Sequence, residues 1–215
     1  MLAVAICTAQ RMGIHDESTC ASCTALQAEM RRRLWWSLVI FENRVGEMLN
    51  NKSTATLDPT WDCRTPLNVD DSEIRPEMKT SPADHGKPTE ALFAAVRSEL
   101  ADFVRCSAFH WNATAQAKDT RQGPVLESGE LITLEKTIEE KYLAFCDPEN
   151  SLHFMTIWTT RGYFAKTRLQ EHFQKHSMSS RQQTNEQRNT AISYALSMLE
   201  DDTKLVSSPL IKGYL

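Results

Sequence analysis

The fold of this 215-residue chain is decided by one stretch, Leu26-Gln-Ala-Glu-Met-Arg-Arg-Arg-Leu-Trp-Trp-Ser-Leu-Val-Ile-Phe-Glu-Asn-Arg-Val-Gly-Glu-Met-Leu-Asn50. Its apolar residues recur at spacings of three, four and seven, which puts them on one face of an α-helix. That face comprises Leu26, Met30, Leu34, Leu38, Val45 and Leu49, and is widened by Trp35, Val39 and Ile40. A stripe this wide, with two adjacent Trp residues, predicts a helix that is packed on more than one side. Glu29 lies one turn before Arg33, a spacing that favours an ion pair.

A second stretch, Trp61-Asp-Cys-Arg-Thr-Pro-Leu-Asn-Val-Asp-Asp-Ser72, cannot continue a helix. Pro66 lacks a backbone N–H donor and biases Thr65 towards extended conformations. The Asn and Asp side chains that follow favour turns, because they hydrogen-bond to nearby backbone groups. We therefore predict that residues 51–87 form a long connection, and that its Pro-Leu-Asn-Val part lies along the helices.

These two stretches together resemble the fungal-specific transcription factor domain, the middle homology region downstream of the zinc binuclear cluster in fungal regulators. The residues that carry the resemblance are Glu29, Arg31, Arg32, Arg33, Leu34, Trp35, Trp36, Arg44, Pro66, Leu67, Asn68, Asp70 and Asp71. Weaker similarity covers nearly all of the remaining chain. The family usually has Asp where Glu42 stands, and Gly and Pro where Asn50 and Lys52 stand. We call the thirteen residues the signature residues.

The resemblance implies a nuclear protein and a regulatory region that does not itself contact DNA. Such a region would modulate transcription, for example of a biosynthetic or metabolic gene cluster, through protein partners, a homodimer or a small-molecule effector. DNA and zinc would be bound only by a cluster module that is absent from these 215 residues. Because the sequence opens inside a helical pattern, a fragment of a larger domain is expected. The alternative is a free-standing truncated homologue that acts as a protein-interaction or small-molecule-binding helical module.

The cysteine spacing indicates no zinc cluster in this chain. The six cysteines are Cys7, Cys20, Cys23, Cys63, Cys106 and Cys146. Only Cys20 and Cys23 have the spacing of metal ligands, and no second pair completes a tetrahedral site. His172 and His176 are four residues apart and could chelate a metal, but no third ligand is indicated, and their polar neighbours favour an exposed helix face. We expect neither a metal nor a cofactor.

Composition favours an all-α protein that is not a nucleic-acid binder by itself. Gly is rare, at seven residues, and strand-like alternation is scarce. The 24 basic and 28 acidic residues give a net charge of −4, whereas nucleic-acid-binding modules usually carry a basic excess. No apolar run approaches the length of a membrane span. We predict one domain over residues 1–215, an antiparallel array of about six helices with loops at 112–127 and 177–187.

The sequence carries no recognisable catalytic motif, so we expect a protein that is not an enzyme. There is no phosphate-binding glycine loop and no local Ser-His-Asp or Cys-His pattern. Neighbouring Asp70 and Asp71 are interpreted as solvated or helix-capping residues. The three arginines at 31–33 are interpreted as a helix end partly paired with Glu29, in preference to a phosphate or nuclear-import patch.

If the helices enclose a ligand pocket, its aromatic lining is expected from Trp35, Trp36, Phe103 and Trp158, although core packing is the favoured role of the Trp pair.

Overall fold

The computed structural model describes residues 1–48, 61–83, 86–117, 128–177 and 184–213. These residues contain six α-helices and no β-strand, which confirms the all-α prediction. The helices are α1 (Leu2–Arg11), α2 (Ala25–Met48), α3 (Leu92–Ala117), α4 (Ser128–Lys141), α5 (Ser151–Ser177) and α6 (Asn185–Ser207). Short 3-10 helices lie at Glu17–Cys20, Asp71–Glu73, Leu143–Phe145 and Pro209–Ile211. Within the described ranges, every helix is too short or too polar to cross a lipid bilayer.

The helices extend into both predicted loops, 112–127 and 177–187. Helix α3 continues to Ala117 and so includes the first six residues of the predicted 112–127 loop. Three of those six residues are alanine, the residue with the highest helix propensity, which explains the extension. Helix α5 ends at Ser177, and α6 begins after Thr184, whose side chain accepts a hydrogen bond from Gln187 N–H. Residues 118–127 and 178–183 lie outside the described ranges.

The described contacts group the chain into two compact units, Met1–Ala113 and Thr114–Leu215. In the first unit, the core joins α1, α2 and the 61–71 segment that follows the undescribed residues 49–60. Trp61 packs its ring edge-on against the rings of both Trp35 and Trp36, with centroids 5.4 Å apart in each pair. Edge-to-face packing adds to the free energy gained by burying these large side chains. The single-domain assignment stays a prediction.

Helix α2 buries a different face from the predicted one. Its buried residues are Ala25, Ala28, Glu29, Arg32, Trp35, Trp36, Val39 and Gly46. Met30 and Leu34, which were predicted to lie on the packed face, are 54% and 48% exposed. The prediction was wrong for these two residues because it counted apolar side chains only, whereas two charged residues occupy inward positions. The prediction that both Trp side chains are core residues is confirmed, at 0% and 1% exposure.

The second unit is dominated by the packing of α5 against α6. Phe164 and Ala165 of α5 are buried, as are Leu131 and Ile138 of α4. On α6, Ile192, Leu196, Leu199 and Val206 are all more than half exposed. Their spacings of four, three and seven residues place them on one stripe of the helix. We call these four residues the α6 stripe.

Candidate functional site

The 61–71 segment lies along the buried face of α2, and its backbone groups are hydrogen-bonded to side chains of that helix. The indole N–H of Trp36 donates to the carbonyl of Arg64 at 2.7 Å. The backbone N–H of Leu67 donates to a carboxylate oxygen of Glu29 at 3.1 Å. At the start of the segment, Cys63 N–H donates to the carbonyl of His15 at 3.2 Å. The Pro-Leu-Asn-Val part therefore lies against the helix, as predicted from its sequence.

Glu29 is the central acceptor of this arrangement and is only 1% exposed. The oxygen that accepts from Leu67 also accepts from Nε of Arg33 at 3.1 Å, which confirms the predicted pair. Its other oxygen lies 3.8 Å from Nη1 of Arg32. Burial raises the pKa of Glu29 above its ordinary value, although the hydrogen bond from Arg33 opposes the shift. A carboxylate in this position is stable only because its partners are fixed around it.

Glu17 joins three parts of the chain at the neighbouring site. Two N–H groups of the Arg32 guanidinium donate to the two oxygens of its carboxylate. Arg64 N–H donates to the same carboxylate at 3.2 Å, and Glu17 N–H donates to Asp62 at 2.8 Å. Burial favours the neutral form of Glu17, but the hydrogen bonds from Arg32 and Arg64 hold its pKa below the ordinary value. Glu17 thus fixes the 3-10 turn and α2 to the 61–71 segment.

The far end of the segment is held by Asn68 and the two neighbouring aspartates. Asn68, which is 1% exposed, donates to the carbonyl of Lys87 and accepts from Thr89 Oγ1, both at 2.7 Å. Asp71 accepts from Arg33 Nη1 at 2.6 Å. Asp70 accepts from the backbone N–H of residue 90 at 3.0 Å. The contact of Asp70 is of the capping kind expected from the sequence, whereas the ion pair between Asp71 and Arg33 was not predicted.

Most signature residues therefore belong to one polar network, while others lie at its edge. We define the α2 network as Glu17, Glu29, Arg32, Arg33, Trp36 and the 61–71 segment. Arg31 donates to Thr19 Oγ1 at 3.2 Å, beside the network. Leu34 is half exposed, and Arg44 pairs with Glu47 at 3.2 Å on the surface. Any functional role of the signature residues stays a prediction.

Sequence reasoning missed two members of this unit. Glu17 was not singled out because it belongs to a polar turn 15 residues before Arg32, and sequence spacing does not reveal such a contact. Trp61 was read only as part of a connection, although its ring is in the core at 3% exposure. Its large apolar surface in an otherwise polar stretch was the available signal.

The four aromatic residues proposed for a ligand pocket occupy different environments. The side chains of Trp35 and Trp36 are buried and pack against Trp61, and Phe103 is half-buried on α3. Trp158 belongs to the second unit, where Lys204 Nζ lies 3.9 Å from the centre of its ring and the Arg161 guanidinium lies 5.1 Å away. For the Trp pair, complete burial favours the packing role. A ligand-lining role of these residues stays a prediction.

The described residues contain no group of three His, Cys, Asp or Glu side chains that is arranged to hold a metal ion. The rings of His172 and His176 approach to 4.5 Å between centroids, and Nδ1 of His176 lies 3.2 Å from Gln187 Nε2. All six cysteines are free thiols. Burial raises the pKa of the Cys63 thiol to about 12 and that of Cys146 to about 11, so neither is a reactive thiolate at neutral pH.

Comparison with known proteins shows that the whole chain is similar to transcriptional regulators of fungi. It is 59% identical over 215 residues to the transcriptional regulator AacuB of Aspergillus aculeatus. It is 55% identical over 222 aligned residues to the transcriptional regulator nsrM of Aspergillus novofumigatus. The aurofusarin cluster transcription factor aurR2 of Gibberella zeae is 27% identical over 207 residues. These relatives are named as regulators and not as enzymes.

The chain spans only part of these relatives. The alignments with AacuB and nsrM include the whole chain but only 29% of each relative, and the alignment with aurR2 includes 96% of the chain and 31% of aurR2. No protein-family model matches the chain, and no solved structure matches it. The similarity therefore concerns one region of much longer proteins.

Proposed function

We propose that this chain is a regulatory region of a fungal transcription factor, corresponding to the middle homology region, and that it modulates transcription without contacting DNA. The observation that carries the proposal is its 59% identity, over the whole chain, to a named transcriptional regulator. The proposal includes a nuclear location and control of a biosynthetic gene cluster, since aurR2 is named as a cluster transcription factor. It also includes the absence of enzymatic activity.

The charge distribution supports a region that leaves DNA contact to another module. The net charge is −4, and two arginines of the most basic run of the sequence, residues 31–33, are paired with carboxylates of the first unit. Arg32 binds Glu17, and Arg33 binds both Glu29 and Asp71. These guanidinium groups are therefore occupied by carboxylates and are poorly placed to bind phosphates. Contact with DNA through a zinc-cluster module elsewhere in the full regulator is part of the proposal.

A reporter assay tests the regulatory role. Residues 1–215 are fused to a heterologous DNA-binding module in a fungal host, and reporter expression is compared with that of the module alone. We expect the fusion to change expression, and we expect Glu29→Ala, which disrupts the α2 network, to abolish the change. Arg44→Ala is the matched control, because Arg44 is a signature residue on the surface. A fusion that behaves like the module alone, at equal protein level, contradicts the proposal.

Direct titration tests the absence of DNA contact. We expect the isolated chain to show no sequence-selective binding when it is titrated against promoter fragments by fluorescence anisotropy. Selective, salt-sensitive binding at nanomolar concentration would show that the region itself reads DNA.

A second candidate function is a helical module that binds a protein partner or a second copy of itself. The observation that favours it is the α6 stripe, whose four apolar side chains are 53–60% exposed. Contiguous exposed apolar surface is typical of protein-binding sites. Sedimentation velocity tests self-association of the chain. A stable monomer at high concentration would count against self-association and would not affect the proposal of a regulatory role.

A further inference from the structure

Two of the six free thiols belong to one tight turn directly before α2. The backbone N–H of Cys23 donates to the carbonyl of Cys20 at 2.9 Å, which closes a four-residue turn through the exposed residues Ala21 and Ser22. Such a turn holds its first and last Cα atoms less than about 7 Å apart. Disulfides span Cα distances of about 4.4–6.8 Å, so the backbone of this turn is already in the range that a disulfide requires.

The Cys23 side chain is turned back towards Cys20. Its Sγ donates to the carbonyl of Thr19 at 3.6 Å, and that carbonyl belongs to the peptide group that joins Thr19 to Cys20. Both cysteines are partly exposed and line one open cavity of about 310 Å³. A small solute that enters this cavity therefore reaches both residues.

The ionisation of Cys20 indicates which of the two thiols reacts first. Burial raises the pKa of the Cys20 thiol, and the nearby Glu17 carboxylate and the Cys23 thiol raise it further. The guanidinium groups of Arg31 and Arg32 oppose this shift but do not reverse it. Because the thiolate is the form that attacks an oxidant, Cys20 is a poor first nucleophile, and Cys23 takes that role.

We propose that Cys20 and Cys23 are a redox-active dithiol, which a hydroperoxide oxidises to a disulfide and a small thiol reduces again. The Cys23 thiolate attacks the terminal oxygen of the hydroperoxide, so that an S–O bond forms, the O–O bond breaks, and the leaving oxygen takes up a proton. The Cys20 sulfur then attacks the Cys23 sulfur, so that the S–S bond forms, the S–O bond breaks, and the hydroxyl group leaves as water with the Cys20 proton. Two electrons pass from the two thiols to one hydroperoxide. Reduction by two small thiols reverses the change and leaves them as their own disulfide.

The disulfide would join the Glu17–Cys20 turn to the start of α2. Thr24, the residue after Cys23, caps this helix, since its Oγ1 accepts from Gln27 N–H at 3.3 Å. Glu17, at the other end of the turn, binds Arg32 of α2. Oxidation would therefore add a covalent link beside a contact that fixes the α2 network. The inference goes beyond the regulatory function and does not depend on it.

Treatment of the reduced 215-residue chain with hydrogen peroxide tests the proposal. Trypsin cleaves after Arg11 and Arg31, and the peptide 12–31 between these sites contains Cys20 and Cys23 and no other cysteine. After alkylation of the remaining thiols, mass spectrometry should detect this peptide unalkylated and lighter by two hydrogen atoms, and dithiothreitol should restore both thiols. A disulfide between this peptide and the one that contains Cys63, or oxidation of the pair to sulfinic acid without a disulfide, would overturn the proposal.

Cys7 is the internal control, because it is an exposed thiol on α1 and belongs to a different tryptic peptide. Thiols joined by so short a segment act on each other at an effective concentration in the millimolar range. A chain at about 10 µM should therefore form at least about a hundredfold more of the Cys20–Cys23 disulfide than of a Cys7 disulfide between chains. Comparable yields at the two places would show indiscriminate oxidation and would contradict a special site.

A comparison of the folded and the urea-unfolded chain separates the turn from the Cys-x-x-Cys spacing alone. The turn already fixes backbone that the unfolded chain has to order. The folded chain should therefore keep the disulfide in glutathione buffers at least about threefold more reducing than those tolerated by the unfolded chain. Equal midpoints for the two states would show that the folded turn contributes nothing, and the proposal would fall.

Single serine variants test the order of reaction. Dimedone traps a sulfenic acid that has no second thiol beside it, so Cys20→Ser should give a dimedone adduct at Cys23. In Cys23→Ser, the adduct at Cys20 should form at least about threefold more slowly, because less of that thiol is ionised. Equal or faster labelling at Cys20 would overturn the assignment of Cys23 as the residue that attacks the peroxide.

Discussion

Each of the two faces of helix α2 includes residues of the kind that is usually found on the opposite face. The inward face contains Glu29 and Arg32, at 1% and 7% exposure. The outward face contains Met30, Leu34, Phe41 and Met48, at 54%, 48%, 59% and 76% exposure. The outward residues are separated by four and seven positions, so they form one continuous apolar stripe. Apolar periodicity therefore identifies this helix correctly but does not identify the side that is buried.

Pairing explains why charges can occupy the inward face. Burial of an isolated charge is costly, but the cost falls when each charge has a fixed partner. Glu29 has Arg33 and Leu67 N–H, and Arg32 has the two oxygens of Glu17. The same bonds hold the 61–71 segment, which brings Trp61 between the two Trp rings of α2. The charged residues thus position the apolar core that surrounds them.

The largest effect is expected for Trp35→Ala. Trp35 is 0% exposed, and its ring packs against Trp61 at 5.4 Å and against His15 at 5.6 Å. Removing a buried Trp side chain leaves a cavity, so the free energy of unfolding should fall by about 3 to 5 kcal/mol. Chemical denaturation followed by circular dichroism measures this loss. Phe41→Ala on the outward face is the control and should change the value by less than about 0.5 kcal/mol. A midpoint unchanged by Trp35→Ala would contradict the core assignment.

Glu29→Ala is expected to have the next largest effect. The variant leaves Leu67 N–H without its acceptor and removes one partner from Arg33, so we expect a loss of about 3 kcal/mol. Glu29→Gln retains an oxygen for Leu67 and should cost about 1 kcal/mol. Glu47→Ala breaks an ion pair of similar spacing on the surface, between Glu47 and Arg44, and is expected to cost less than about 0.5 kcal/mol. If Glu29→Ala costs no more than Glu47→Ala, the buried pairing is not what holds the segment.

The sequence predicts the helices and connecting segments better than it predicts which of their residues face the core. The α2 helix follows from its periodicity, the Arg33–Glu29 pair from its spacing, and the course of the 61–71 segment from Pro66 and the turn-forming residues after it. The inward position of Arg32 depends on Glu17, and the position of Trp61 depends on hydrogen bonds to Trp36 and His15. These contacts join residues that are distant in sequence. Local propensity and spacing carry no information about them, so the α2 network could be recognised only in the folded chain.

The two carboxylates of the α2 network should change the stability of the fold with pH in opposite directions. The pKa of Glu17 is lower in the folded chain than its ordinary value of 4.5, so its stabilisation is present above that pH and is lost as the pH falls. The pKa of Glu29 is raised, so the folded state is favoured at low pH and loses stability as the pH rises through the folded pKa.

Unfolding free energies measured between about pH 3 and pH 7 for matched glutamine variants check these signs. Glu17→Gln should reduce the loss of stability on the acid side. Glu29→Gln should reduce the loss on the neutral side, because glutamine resembles the protonated carboxyl group. If both variants alter the same side of the profile, the assignment of opposite shifts is wrong.

Leu34→Gln is expected to have the smallest effect on stability. Leu34 is 48% exposed on the outward face, so replacing it removes little buried apolar surface and should change the unfolding free energy by less than about 0.5 kcal/mol. Leu38→Gln is the matched control, because Leu38 is the same residue type one turn later and packs against the Trp core. It should cost about 1 to 3 kcal/mol, since a polar amide then replaces buried apolar surface. The comparison is made by chemical denaturation at low protein concentration, where self-association is minimal. A Leu34→Gln loss as large as that of Leu38→Gln would mean that the outward stripe is covered in solution, and the contrast between the two faces of α2 would no longer hold.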